Sequence, residues 1–163
     1  MSRIILALAL AALALPSLAF AQEASIAFGS ADHDPSDPIE VTSDRLSVDQ
    51  ADGSAVFTGS VVVVQGELRL TADRVEVEYT EIEPREIERM LAFDNVVLVR
   101  GEEAAEGDEA VYTLAEQTVV MTGDVLLTQE QSAISGEKLT VRLDDGTGVM
   151  EGRVRTILRT GGN

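Results

Sequence analysis

From residue 39 onward apolar side chains recur at every second position: Ile39 and Val41, Leu46 and Val48, Leu68 and Leu70, then Val75, Val77 and Tyr79. The same alternation returns at Ala110, Tyr112 and Leu114 and at Leu139, Val141 and Leu143. A period of two puts successive side chains on opposite faces of a strand, so these runs predict half-buried β-strands. Their alternate positions, Glu76, Glu78, Thr113, Thr140 and Arg142, are polar and suit a solvated face. A helical period is missing, although residues 83–90 have room for one turn. Turn-forming residues at 51–53, 65–66, 100–101, 129–130 and 144–146 separate the runs. Connections this short join antiparallel neighbours, because parallel neighbours need a long crossover.

The pattern also repeats. Asp44, Asp73, Asp108 and Glu137 recur in steps of 29, 35 and 29 residues, and Gly59, Asp94, Gly123 and Gly152 in steps of 35, 29 and 29. Each member of the second set is followed two positions later by a valine: Val61, Val96, Val125 or Val154. The six extra residues fall once, between Tyr79 and Leu91, where Pro84 and a run of charge mark a loop insertion. One short repeat cannot bury an apolar face alone, so four such units of 29 to 35 residues are expected to stack into one elongated, twisted roll. The expected fold is therefore all-β, with the repeated acid at a corner of each unit.

At 163 residues the chain fits one domain. Residues 1–21 have the form of a secretory signal peptide: Arg3, an apolar stretch from Ile4 to Leu15, and a small-x-small site at Ala19-Phe20-Ala21. A retained anchor is the rival reading, but Pro16 breaks the apolar run short of the roughly 20 residues a membrane span needs. Removing residues 1–21 leaves 11 basic residues against 29 acidic ones, a net charge of −18. That balance opposes nucleic acid as a partner. The chain has no cysteine, so an exported product draws its stability from packing and sheet hydrogen bonds. Residues 22–37, with small residues, Asp32, Asp34, Asp37 and Pro35, are expected to form a flexible arm, and residues 160–163 a disordered C-terminus.

Chemistry is hard to find. His33 is the only histidine and has no companion at metal-ligating spacing, so it is expected to be solvated and no metal site is assigned. The recurring acids invite comparison with the carboxylate pair of a glycosidase. An active site, however, is one asymmetric cluster, whereas these acids occur once per unit; a carboxylate at a corner can instead accept backbone N–H bonds freed by the broken ladder. With no cysteine nucleophile and no phosphate-binding loop before a helix, no catalytic residue and no cofactor are assigned.

Four stretches, Pro38-Ile39-Glu40-Val41-Thr42-Ser43-Asp44-Arg45-Leu46, Phe57-Thr58-Gly59-Ser60-Val61-Val62-Val63, Leu70-Thr71-Ala72-Asp73-Arg74-Val75 and Met121-Thr122-Gly123-Asp124-Val125, resemble, in order and in register, the OstA-like domain of the LptA family of periplasmic lipopolysaccharide transport proteins. The resemblance covers residues 38–158, and the corresponding domain is drawn at 38–159. It implies an antiparallel β-jelly roll, a periplasmic address and a hydrophobic groove for the acyl chains of lipid A. It further implies bridging between an LptC-like inner-membrane protein and an LptD-like outer-membrane protein through contacts between sheet edges. An LptC-like domain of the same pathway, or a structural β-solenoid that binds no lipid, are the alternatives.

On this reading Ile39, Val41, Leu46, Val48, Phe57, Leu70, Val77, Tyr79, Tyr112 and Leu114 face the groove; Phe93 is ambiguous, because the repeat points it outward beside the insertion. The edge strands expected to meet partners carry Ile39, Val41 and Val48 at the start and Arg153, Arg155 and Ile157 at the end. A basic last strand facing an acidic first strand suits head-to-tail self-association. A net charge of −18 repels an anionic lipid at long range, leaving attraction to the acyl chains or to local cations such as Arg69, Arg74, Arg100 and Lys138.

Overall fold

Strand after strand, the chain doubles back on itself and bends in the middle. In the computed structural model, residues 24–29, 33–49, 51 and 53–159 are described. The expected signal peptide and the expected C-terminal tail lie outside them. Eleven strands form one open antiparallel sheet: β1 (Ala24–Ala27), β2 (Glu40–Thr42), β3 (Arg45–Val48), β4 (Ala55–Gln65), β5 (Leu68–Tyr79), β6 (Ile87–Arg100), β7 (Glu103–Thr113), β8 (Thr118–Gln129), β9 (Ser132–Arg142), β10 (Thr147–Glu151) and β11 (Arg155–Leu158). Strands β4 to β9 run as a meander of neighbouring hairpins, with two-residue turns at 66–67, 101–102 and 130–131. The insertion at 80–86 is a loop with no helical turn.

The bends have a repeated cause. Pairing between β4 and β5 jumps from Thr58↔Arg74 to Val61↔Ala72, leaving Gly59 and Ser60 opposite the single residue Asp73. This is a bulge, which bends a strand and raises its twist. Left-handed pairs stand at the corners: Gly59/Ser60 (φ +84°, +46°), Asp94/Asn95 (+63°, +52°), Gly123/Asp124 (+85°, +44°) and Gly152/Arg153 (+80°, +47°). The repeated acid of the preceding strand packs against each corner. The N–H of Asp44 donates to the Gly59 carbonyl at 3.0 Å and that of Glu137 to the Gly152 carbonyl at 3.1 Å. Where Asp94 replaces glycine, Asn95 Nδ2 donates to Asp73 Oδ2 at 2.7 Å. The repeated carboxylates are thus corner residues spread along the roll.

At Gly123 a Cβ would sit 2.6 Å from the Asp108 Cβ, and the backbone is left-handed. Gly123→Val adds the cost of a β-branched residue in that conformation to the clash, so it is expected to lose about 2 kcal/mol or more and to lower Tm by about 6 °C. Gly148→Ala, whose nearest contact would be 3.5 Å at the Leu139 Cδ1 with no left-handed φ, is the neutral control in the same thermal scan.

The row of corners divides the sheet into two leaves. One contains β3, the halves 55–58, 74–79, 87–93, 109–113, 118–122 and 138–142, then β10 and β1. The other contains β2, the halves 61–65, 68–72, 96–100, 103–107, 125–129 and 132–136, then β11. Their inner faces share one core, with Val75, Ala92, Val119, Met121 and Leu139 from the first leaf and Val61, Leu98, Ala105, Val125 and Leu127 from the second, all essentially inaccessible. The product is an open jelly roll: closed by corners along one side, and with a mouth along the other, where the hairpin loops of the two leaves face each other.

The N-terminal residues depart from the expectation of a flexible arm. Ala24–Ala27 pairs with β10, and Phe28 donates its N–H to the Gly146 carbonyl at 2.7 Å and is completely buried. Burying one phenylalanine fully is worth about 2 kcal/mol, which adds to the ladder with β10 against the entropy lost in ordering this short edge strand. The physical signal is the alternation of Ile26 and Phe28, which the acids and prolines that follow mask.

Candidate functional site

The apolar interior between the leaves contains a narrow cavity of about 20 Å³ near the N-terminal end, bounded by Ile39, Leu68, Leu70, Val75, Met90, Leu98 and Tyr112. That is space for about one water molecule, so the leaves are in contact. Beside it, sharing Ile39 and Gln65, an open cleft of about 560 Å³ runs past Pro35, Ile87 and Leu114 to the surface. The interior therefore reaches solvent at the mouth near this end of the roll.

Buried polar groups close the mouth from leaf to leaf. Tyr112, on the first leaf, donates its hydroxyl proton to Gln65 Oε1 on the second at 2.9 Å. The Gln65 amide donates in turn to the carbonyls of Pro35 (3.2 Å) and Asp37 (3.1 Å). With its own proton committed, the Tyr112 oxygen accepts from His33 Nε2 at 3.2 Å. Further along, Arg100 Nη1 donates to the Leu143 carbonyl at 3.2 Å, again across the mouth. Burial pushes the Tyr112 phenol up to about 12. His33 is held below the ordinary histidine range, first by desolvation and then by the Arg100 guanidinium, with Asp37 and Asp34 opposing. His33 is thus half-buried and neutral at pH 7, not solvated as its surroundings in the sequence suggest.

The residues expected in the groove fall into three groups. Leu70, Val77 and Tyr112 are buried on inner faces, and Ile39, Val41, Phe57, Tyr79 and Leu114 are half-buried and packed against the same core. Leu46 and Val48 pair with Phe57 and Ala55 on inward positions, yet they are 55% and 60% exposed because β3 ends its leaf with none of the described residues laid over it. Phe93 lies opposite Arg74 and Glu109 on the outer face, with the Arg74 guanidinium 5.3 Å from its ring centroid. Its outward position follows the repeat parity and takes it out of the groove. Gln65, Ile26 and Phe28 are absent from the sequence-based site, and Arg100, expected there only as a head-group cation, is buried at the mouth. Gln65 and Arg100 continue the inward series Val61, Val63 and Val96, Leu98, and that parity was the available signal.

At the C-terminal end β11 is the outer strand of the second leaf, with Arg153, Arg155 and Ile157 exposed and Leu158 72% exposed. The first leaf differs there, because β1 covers β10. Of the cations considered for a head group, Arg74 pairs with Glu76 and Lys138 with Glu151 at 3.0 Å, and Arg100 is buried at the mouth. Among the described residues no cluster of three potential metal ligands occurs, and no helix is long and apolar enough to cross a membrane.

Residues 40–147 match the family described as LptA/(LptD N-terminal domain) LPS transport protein. An uncharacterized protein of Rhizobium meliloti (strain 1021) is 31% identical over 94% of this chain and 89% of its own length. The lipopolysaccharide export system protein LptA of Escherichia coli (strain K12) is 33% identical over 66% of this chain, and the match spans 60% of that protein. The fold matches the crystal structure of LptH of Pseudomonas aeruginosa, described as the LptA homologous periplasmic component of the lipopolysaccharide transport device, with a TM-score of 0.70 at 20% identity, over 78% of this chain and 99% of LptH.

Proposed function

We propose that this chain, which belongs to the LptA/(LptD N-terminal domain) family of lipopolysaccharide transport proteins, is a periplasmic, non-enzymatic carrier that shields the acyl chains of lipopolysaccharide between its two leaves. The observation that carries the reading beyond family membership is an interior that is apolar except for Gln65 and Arg100 at the mouth, and that reaches the surface there. Each methylene withdrawn from water is worth about 0.8 kcal/mol, so a chain of a dozen carbons crosses an aqueous compartment far more readily inside such an interior. No bond is made or broken, and the direction of flow comes from an energy source elsewhere. A cavity of about 20 Å³ cannot hold an acyl chain, so loading requires the leaves to separate along the mouth.

The two ends suit bridging. Leu46 and Val48 at the start, and Leu158 at the finish, are apolar inward positions left bare, and β2, β3 and β11 present unpaired strand edges. Such edges are templates for strand addition. A like-folded domain joined there, from an LptC-like protein at one end, an LptD-like protein at the other, or another copy head to tail, extends the apolar interior across the junction.

Fluorescent lipopolysaccharide is expected to bind the purified mature protein saturably, with unlabelled lipopolysaccharide and lipid A competing. Deacylated lipopolysaccharide, which keeps the sugars and phosphates, is expected to compete at least 100-fold more weakly. Equal competition by the deacylated form places recognition on the head group and removes the shielding role.

A further inference from the structure

We propose that residues 26–29 and 33–39 form a strap that holds the mouth of the roll shut and must be displaced before lipid enters; this rests on the interior being the lipid site. The segment touches hairpin loops of both leaves in turn. From the first leaf, β10 pairs with β1, Gly146 accepts from Phe28, and Tyr112 meets His33. From the second, the Gln129 side chain donates to the Ala27 carbonyl and Gln65 to the carbonyls of Pro35 and Asp37. At Gly29 the backbone comes so near Arg100 that a Cβ would lie 2.5 Å from the Arg100 Cδ.

Two side chains of the strap occupy the interior. Phe28 is completely buried and Ile26 nearly so, while Ile39 at the far end lines the cavity. An aromatic ring and an aliphatic chain thus fill space at the side of the roll that is not closed by covalent corners. The leaves are joined at the corners by continuous strands, which cannot part without breaking the ladders. At the mouth they are joined by side-chain hydrogen bonds, among them Tyr112 to Gln65 and Arg100 to Leu143, and by this segment. Separation is therefore directed to the mouth, and the strap lies across it. Its anchorage is slight, since β1 is four residues long and, among the described residues, pairs with the five-residue β10 alone. The strap can leave while the meander from β4 to β9 stays paired.

A chain without cysteine allows a clean lock. Ala27 and Thr147 are partners across β1 and β10, and both are exposed. Antiparallel partners lie within the Cα separation a disulfide requires. In the Ala27→Cys/Thr147→Cys protein, the oxidised form is expected to bind fluorescent lipopolysaccharide at least tenfold more weakly than the same protein after reduction, with circular dichroism unchanged between the two. Phe28→Ala in the parent chain is expected to speed loading at least threefold. Equal binding by oxidised and reduced forms, with the parent protein also binding, overturns the strap and leaves the lipid site standing. Failure of all three folded proteins to bind overturns both.

Discussion

Replacing Leu98 by aspartate is expected to abolish cooperative folding. Leu98 is inaccessible to solvent, pairs with Leu70 and Ala105 on the inner face, and borders the small cavity between the leaves. A carboxylate there would sit among Leu70, Val75, Met90 and Ala92, and the Gln65 and Tyr112 side chains that line the same cavity are already hydrogen-bonded elsewhere. Its burial costs several kcal/mol whether it stays charged or takes up a proton, a large part of the 5–15 kcal/mol that stabilises an ordinary domain. The buried acid's folded pKa is raised above its unfolded value of about 3.9, so the unfolded state releases the proton first and the loss of stability grows as pH rises through that value. Val97→Asp, one position along and on the outer face, is the matched control and is expected to stay within about 1 kcal/mol of the parent. Thermal melts at pH 4 and pH 7 separate the two; a cooperative, parent-like transition for Leu98→Asp at pH 7 would show that the interior is already wet and open.

The opposite outcome is expected at the bare end of the roll. Leu46 and Val48 are inward by register but uncovered, at 55% and 60% exposure. The double variant Leu46→Asp/Val48→Asp therefore gives up little burial in the isolated molecule, and its Tm is expected to stay within about 3 °C of the parent. A neighbour adding its strand to β2 and β3 would bury both positions, and two unpartnered carboxylates oppose that step. End-to-end association, and docking to an LptC-like domain, are expected to weaken at least 100-fold in sedimentation velocity runs over a range of concentrations. Unchanged association in a folded variant would move the junction away from this edge.

Much of this architecture is legible in the residue pattern, and the reason is period. Alternation over 68–79 and 139–143 specifies strands with one buried face, and the recurrence of Asp44, Asp73, Asp108 and Glu137 against Gly59, Asp94, Gly123 and Gly152 locates the corners, because a left-handed bulge there needs glycine or a tolerant polar residue. The corner at Asp94 and Asn95 shows how far that tolerance extends. What the pattern hides is whatever depends on the two leaves meeting. Gln65 and Arg100 look like turn residues beside Gly66 and Gly101, yet their inward parity carries them into the mouth, where they bond across it. His33 has no local partner in the sequence, and Tyr112, 79 positions away, supplies one. Phe28 is a lone aromatic in an acidic stretch until the first strand is laid on the last but one. Leu46 and Val48 show the converse: parity places them inward, and only the end of the sheet makes them exposed.

The central claim is that the acyl chains of lipopolysaccharide lie between the leaves. A photoreactive side chain at Tyr112 or Phe57, both on inner faces, and at the outward Glu76 as reference, tests it in cells making lipopolysaccharide. The account predicts adducts of lipid mass from Tyr112 and Phe57 and none from Glu76. Adducts of equal yield from all three positions, or none from the two inner positions in protein shown to be folded, would contradict it.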